Sequence, residues 1–426
     1  MSDRIQDPAA VHALTWLAFA NTVGVLLSLL LLWPELGDAL GALTYGRWMP
    51  VHTNAQLYGW CSFPLIGALH QGYRGSRGAG AGLHLALAGW SAALVLGCIS
   101  WLAGYQSGKL FLEWHAWARP LLPLAMLALW LVLVRETWIR RGEAGPGRVA
   151  RAAGLVLLAP VPLAIGWASG RSAFPPVNPH SGGATGTSLL GSTLAIVALF
   201  ALIPHLLGVP LRPARTVGAR RQGRLFWSAW VLSAGLTAAL GHGDVSHHRF
   251  SQVAGLATLF VWIPLGIQHA RLFAWRPLTA RWLTAAAVWW VLLVSTGWVT
   301  FLPGVSERLK FTHALVAHAH LAMAGFVSCV LLAILQQNGP RPLRGFWAWQ
   351  LGTAVHIGAV AVLGVLETGS GDFFRAAPWT DHLLALRLAG GALMAFTSLR
   401  WWADYAGCLR ATERSTTVHP SVCPTP

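Results

Sequence analysis

Charge is what this sequence most conspicuously lacks. Only 10% of its 426 residues are charged, against 55% hydrophobic, too little polar side chain to coat a water-soluble globule of this size. Acidic residues are the scarcest, 14 against 30 basic, and the resulting charge of +16 would suit nucleic acid if the basic residues lined one face. They sit instead in short loops between apolar runs, which argues against nucleic acid and for a polytopic protein in a lipid bilayer. The five cysteines, Cys61, Cys98, Cys329, Cys408 and Cys423, are scattered and include no Cys-x-x-Cys-His. That spacing excludes covalent haem attachment and leaves the thiols as inert residues. No small-residue cleavage site follows Asp3, Arg4 and Asp7, so the first apolar stretch is expected to remain as a span. No internal repeat and no separate soluble domain is visible.

What is present is a series of apolar runs long enough to cross a bilayer. They predict an all-α protein with twelve transmembrane helices near 11–34, 50–70, 81–103, 118–139, 150–168, 188–208, 225–242, 252–271, 281–302, 311–335, 346–366 and 382–407. Residues 1–410 would form one transmembrane domain, and 411–426 a polar, disordered tail. With the N-terminus in the cytoplasm, about 21 of the 30 basic residues fall on the inside, among them Arg140, Arg141, Arg148, Arg151, Arg212, Arg215, Arg220, Arg221 and Arg224. The expected location is therefore a cell's inner (cytoplasmic) membrane. The many tryptophans read mainly as interfacial anchors.

Histidines inside such runs are costly and mark function. The tenth span carries His313-Ala314-Leu315-Val316-Ala317-His318-Ala319-His320. At about 100° per residue, His318 and His320 leave the helix on opposite faces, so they cannot share one ion but can each hold the iron of a different haem. The second span opens Gly46-Arg47-Trp48-Met49-Pro50-Val51-His52-Thr53-Asn54. Both spans start on the outside, so His52 shares a depth with the later pair and, with either of them, could complete a bis-histidine haem. Arg47, just outside, would pair with a haem propionate. Arg387, early in the twelfth span, likewise needs an anionic partner, and a propionate suits it better than Asp381 or Glu367. His313 is expected to pack or hydrogen-bond, Glu113 to be solvated, and His84, His115, His269, His356 and His382 have no spacing logic.

The Gly-Arg-x-x-Pro-x-His-Thr-Asn sequence at Gly46 to Asn54, and His-x-His at His318 and His320 with Thr312 six residues before, resemble subunit I of the haem-copper oxidase superfamily. The likeness is closest to the C-family cytochrome oxidases and the nitric oxide reductases. Gly104-Tyr105-Gln106-Ser107-Gly108-Lys109-Leu110-Phe111-Leu112-Glu113 and Arg387-Leu388-Ala389-Gly390-Gly391 add to it. The resemblance implies two non-covalent haems, b-type, with His52 and His320 as axial ligands of a low-spin haem and His318 as proximal ligand of a high-spin haem. It implies a respiratory-chain oxidoreductase that reduces O2 or NO, fed by a cytochrome c-type or quinol electron donor and accompanied by further membrane subunits. The competing expectation is a non-catalytic relative acting as an electron-transfer or gas-sensing subunit.

That alternative follows from the second metal. The family holds copper with a histidine in the sixth span and a His-His pair at the outer end of the seventh, ligands that suit copper. Here the first position reads Gly191-Ser192, and His205 lies too deep. The loop after the seventh span reads Gly241-His242-Gly243-Asp244-Val245-Ser246-His247-His248-Arg249, with its pair later than the family places it. The second metal is therefore either held unconventionally, by His242, Asp244, His247 or His248, or missing. None of Tyr45, Tyr58, Tyr73, Tyr105 and Tyr405 falls in the sixth or seventh span.

Overall fold

The computed structural model describes residues 8–75, 78, 80–143, 145–170, 173, 185–212, 216–339, 342–369 and 377–416. Asp3, Arg4, Asp7, Arg215 and residues 417–426 lie outside the described residues. Among those described the chain is all helical, with one isolated antiparallel bridge between Leu211 and Phe273.

In chain order the main rods are α1 (Pro8–Leu32), α2 (Tyr45–Asn54, Ala55–Cys61 and Ser62–Arg74), α3 (Ala81–Leu102) and α4 (Leu121–Ile139). Next come α5 (Pro146–Leu158 and Val161–Ala168), α6 (Gly186–Leu206), α7 (Thr216–Leu240) and α8 (Phe250–Ala257, Thr258–Val261 and Trp262–Ala270). The last four are α9 (Pro277–Val299), α10 (His313–His320, Leu321–Val327 and Ser328–Asn338), α11 (Phe346–Glu367) and α12 (Thr380–Thr416). Ten of these rods are long and apolar enough to cross a membrane, and the architecture is that of a polytopic membrane protein. The other two are α2, with His52, Thr53, Asn54 and Gln56, and α7, with Arg220, Arg221 and Arg224; their polar residues lower the apolar character of an otherwise suitable length. Leu85, Leu157, Leu163 and Leu232 are exposed on the rods, an arrangement that water would penalise and lipid tails would not.

Local chemistry sets several boundaries. Pro277 opens α9, where its missing N–H would have no partner anyway. Pro160 divides α5 between its two segments. Thr185 and Thr312 cap α6 and α10, accepting from Ser188 N at 3.2 Å and Ala314 N at 3.1 Å. The helix expected to end near 407 runs on to Thr416, so the first residues of the polar tail continue α12.

The chain divides into two compact units. The first gathers the described residues of Met1–Arg171, Gly339–Gly352 and Leu388–Pro426, the second those of Ser172–Asn338 and Thr353–Arg387. In the first, α1 packs along α2 and α3 against α4. In the second, Leu190, Leu194, Phe226, Leu256, Trp262, Trp290 and Phe301 build the core between α6, α7, α8 and α9.

Interfacial anchoring is not the whole account of tryptophan, because part of it packs in the core. Trp60, Trp101, Trp114, Trp262, Trp282, Trp349 and Trp401 are among the largest fully buried side chains. Indole combines apolar bulk with a single donor, and these helices supply carbonyls to meet it. Trp90 Nε1 donates to Tyr58 O at 2.8 Å, Trp101 Nε1 to Glu113 O at 3.1 Å and Trp230 Nε1 to Leu194 O at 2.9 Å.

Candidate functional site

In the first unit, His52 lies in the last α-turn before α2 changes to a π-helix over Ala55–Cys61. Its Nδ1 is 2.8 Å from the carbonyl oxygen of Ala20 on α1. A carbonyl only accepts, so Nδ1 carries the proton and the ring's lone pair is on Nε2. This is the tautomer that ligates a metal through Nε2 with its other nitrogen held by a backbone oxygen. The ring needs room on α1: a Cβ added at Gly24 would fall 2.8 Å from His52 Cε1.

In the second unit, His320 is built the same way, with Nδ1 2.8 Å from Val316 O. His318 has Nδ1 3.1 Å from Thr296 Oγ1. That hydroxyl donates its proton to Leu292 O at 2.8 Å, so it accepts from His318 and again leaves the lone pair on Nε2. His318 turns towards α9, with Gly297 against its ring, while His320 lies against His356 of α11. The opposite-face expectation for the pair therefore holds within this unit.

The surroundings of His52 and His318 share a construction. Trp16 and Gly24 are eight residues apart on α1, as Trp289 and Gly297 are on α9. His52 and Gly59 are seven apart on α2, as His318 and Gly325 are on α10. A π-helix begins three residues after each histidine, at Ala55 and at Leu321. A Cβ at Gly59 would fall 2.6 Å from Trp16, and one at Gly325 would fall 2.9 Å from Trp289. Each station is thus a histidine seated on a glycine of the neighbouring helix, followed by a π turn whose glycine admits that helix's tryptophan. Single π turns inserted in α-helices recur at functional sites. The sequence shows no repeat because the likeness rests on four residues per unit.

His356, for which the sequence gives no spacing logic, lies beside His320. Their ring centroids are 4.6 Å apart. Two imidazoles with a metal between them stand about 6 Å apart, given bonds of about 2 Å, so this is packing and not a shared iron. His356 Nδ1 is 3.0 Å from the carbonyl of Arg387, whose side chain is buried as expected. Glu367 is no competitor for Arg387. It binds His313 twice, Oε1 to Nδ1 at 2.5 Å and Oε2 to the backbone N–H at 2.7 Å, placing a carboxylate at the N-terminus of α10. A Cβ at Gly364 would overlap the backbone of Ala314, so that glycine allows the approach. His313 accordingly hydrogen-bonds, as its spacing implied.

Arg47 donates from Nη1 to Leu102 O at 2.9 Å, at the C-terminal end of α3. Glu113 departs from expectation. It is buried, not solvated, and its Oε2 accepts from Asn54 Nδ2 at 2.7 Å, two residues beyond His52. Burial pushes its carboxyl up to about 7 against the hydrogen bond from Asn54. The segment holding it is pinned by Tyr58 Oη to Phe111 O at 2.7 Å and by Lys109 Nζ to Ala168 O at 2.9 Å.

For a second metal, the structure brings together His247, His248 and Glu307, whose ligand atoms lie within 4.8 Å of one another. Asp244 is turned to Ser246 N at 2.9 Å and neither it nor His242 joins the group. Sequence reasoning missed Glu307, 60 residues away in the short turn before α10. His247 Nε2 lies 2.6 Å from Glu307 Oε1, while Oε2 accepts from Gly304 N at 2.5 Å. These bonds hold the Glu307 carboxyl down at about 2, the bond from His247 being the largest cause. The group can take a divalent cation or act as a clasp between two loops. Ser192 donates to Leu189 O at 3.2 Å, a contact within its own helix. His205 lies near His269 and Phe273 at the other end of α6.

No protein-family model matches this chain, and no curated protein matches its sequence.

Proposed function

We propose that this protein is a haem-binding membrane oxidoreductase resembling the catalytic subunit I of a respiratory terminal oxidase or nitric oxide reductase. In this reading the bound haems would supply the redox chemistry, a low-spin haem passing electrons to a high-spin one for the reduction of O2 or NO. The observation that carries it is the repeated histidine station, His52 and His318, each with Nδ1 committed and Nε2 bearing the lone pair. His320 adds a third imidazole in the same state.

The donor set fits haem iron, for which neutral imidazole is the common protein ligand. His52 and His320 would each hold low-spin haem iron through Nε2, and His318 would hold the high-spin iron. Bound haem supplies the redox-active iron and, at His318, a coordination position for the gas. The chain's own residues orient the imidazoles: Ala20 O fixes His52, Val316 O fixes His320 and Thr296 fixes His318. Arg47 and Arg387 would be the cations for the propionates. Glu113 holds a proton at its carboxyl near neutral pH, beside the α2 segment that carries His52.

Without Cys-x-x-Cys-His the haems are non-covalent, b-type in the family the sequence resembles, and electrons come from a separate cytochrome c-type protein or a quinol. All of α1 to α12 cross the bilayer, with the N-terminus cytoplasmic in the inner membrane, and further membrane subunits complete the assembly. A specific observation favours a second reading, in which the chain is a non-catalytic electron-transfer or gas-sensing relative. Ser192 stands at the expected copper-ligand position, and His247 is engaged by Glu307.

Spectra of variants test the ligand roles. His320→Ala and His52→Ala should each abolish the low-spin signal, and His318→Ala only the high-spin one; unchanged spectra would refute the assignment. Rapid O2 or NO consumption with a chemical reductant excludes the non-catalytic reading, and copper analysis decides the second metal.

A further inference from the structure

Two connecting segments of the second unit meet outside its helices. The one between α7 and α8 brings His247 and His248, and the one between α9 and α10 brings Glu307. His247 Nε2 is 2.6 Å and His248 Nε2 3.7 Å from the same oxygen, Glu307 Oε1. The first distance is a hydrogen bond, and the second is too long for one. The two imidazoles lie 4.2 Å apart, centroid to centroid, at 36°. Two ring nitrogens thus converge on one carboxylate oxygen, and only one of them bonds to it.

The surroundings hold this convergence in place. Gly304 N donates to Glu307 Oε2 at 2.5 Å, which leaves Oε1 for the histidines. His247 is 2% exposed and packs by its ring against Phe301. Gly186 N donates to Val245 O at 3.2 Å and ties the histidine segment to the start of α6. Ser246 folds that segment tightly: its N–H donates to Asp244 Oδ1 at 2.9 Å, and its Oγ accepts from His248 N at 3.3 Å. Arg249, the cation of the same segment, stands 3.8 Å from Asp244 and so does not occupy Glu307.

We propose that His247, His248 and Glu307 bind a divalent cation of the zinc class that joins the two segments. Two imidazoles and one carboxylate form a zinc donor set that keeps a fourth position for water, and the side chains of His248 and Glu307, 53% and 42% exposed, open the site to solvent. Ligand atoms around tetrahedral zinc, with bonds of about 2.0–2.1 Å, stand about 3.3 Å apart. The observed 2.6 and 3.7 Å lie on either side of that spacing, so small side-chain movements reach it. Zinc takes the lone pair of His247 Nε2 and replaces its hydrogen bond to Glu307. Imidazole nitrogen selects against Mg2+ and Ca2+, which prefer oxygen. The site does not rest on the haem reading: Glu307 has no part in the family resemblance, and zinc carries no electrons.

The test uses the purified full chain in detergent, without a histidine tag, treated with chelator and then titrated calorimetrically with ZnCl2. Wild type should bind zinc saturably, and MgCl2 should give no heat. His248 is exposed and makes no side-chain hydrogen bond among the described residues, so His248→Ala folds as wild type does. It should weaken zinc binding about tenfold or more. His242→Ala, an exposed histidine of the same segment outside the group, should leave binding unchanged. Zinc should raise the Tm of wild type by a few degrees and slow proteolysis between α7 and α8, with neither effect in His248→Ala. Absence of saturable zinc binding, equal affinity in His248→Ala, or loss of binding in His242→Ala alone overturns the proposal. So does a segment as protease-resistant without zinc as with it, which would make the group a hydrogen-bonded clasp only. Zinc binding by a chain free of haem keeps this site and rejects the oxidoreductase reading; two haems per chain with no zinc bound does the reverse.

Discussion

Replacing Glu113 by glutamine should stabilise the protein above neutral pH and do little in acid. The carboxyl is 4% exposed, in the segment between α3 and α4, and burial raises it from 4.5 to about 7. A raised acid means that the folded state holds its proton more tightly than the unfolded chain does. Below about pH 4.5 both states are protonated and nothing is lost; as pH rises towards 7 the folded state is increasingly penalised, and above 7 the penalty is complete. The shift of about 2.5 units corresponds to about 3 kcal/mol at 1.36 kcal/mol per unit. Glutamine keeps an oxygen to accept from Asn54 Nδ2, which also donates to Pro50 O at 2.8 Å, and removes the charge. Thermal unfolding of wild type and Glu113→Gln from pH 4.5 to 8.5 should show a difference in Tm that grows from near zero to several degrees. Infrared spectra should show a protonated carboxyl in wild type that titrates near 7 and is absent in the variant. A constant difference in Tm, or titration near 4.5, would refute the claim that Glu113 is buried without a compensating cation.

The histidine stations give a graded prediction: Gly24→Ala puts a Cβ 2.8 Å from His52, whereas Gly297→Ala puts one 3.1 Å from His318. Gly24→Ala should therefore reduce the low-spin haem signal more than Gly297→Ala reduces the high-spin one, measured as absorbance per protein. Overpacking at Gly59 by alanine, against Trp16, should cost about 1–3 kcal/mol, read as a fall in Tm at unchanged helicity. The Glu307 carboxylate is held well down, to about 2, so the stability it lends is present above pH 4.5 and is lost as pH falls from there towards 2. Acid should thus loosen the loop it shares with His247, seen as faster proteolysis there, and Glu307→Gln should already be loose at pH 7.

The membrane architecture was legible because apolar length is a local property: runs such as 81–103 and 346–366 return as α3 and α11 nearly residue for residue. The opposite faces of His318 and His320 were legible for the same reason, since the angle between near neighbours on one helix needs no tertiary information. What escaped depends on packing. The π turns at Ala55–Cys61 and Leu321–Val327 lie where Trp16 and Trp289 of neighbouring helices meet Gly59 and Gly325, and neither segment's composition announces them. His313 with Glu367, His356 beside His320, and Glu307 with His247 join residues 36 to 60 positions apart on different elements. Glu113 was read as solvated because its flanks look like loop; burial came from Trp101 and Trp114 closing over that loop, with Asn54 waiting beneath.

Haem content of the purified chain tests the central claim most directly. A pyridine haemochrome assay, after extraction that removes only non-covalent haem, should give about two b-type haems per chain, falling to about one in His318→Ala. A chain that is folded, stable and free of haem would contradict the account.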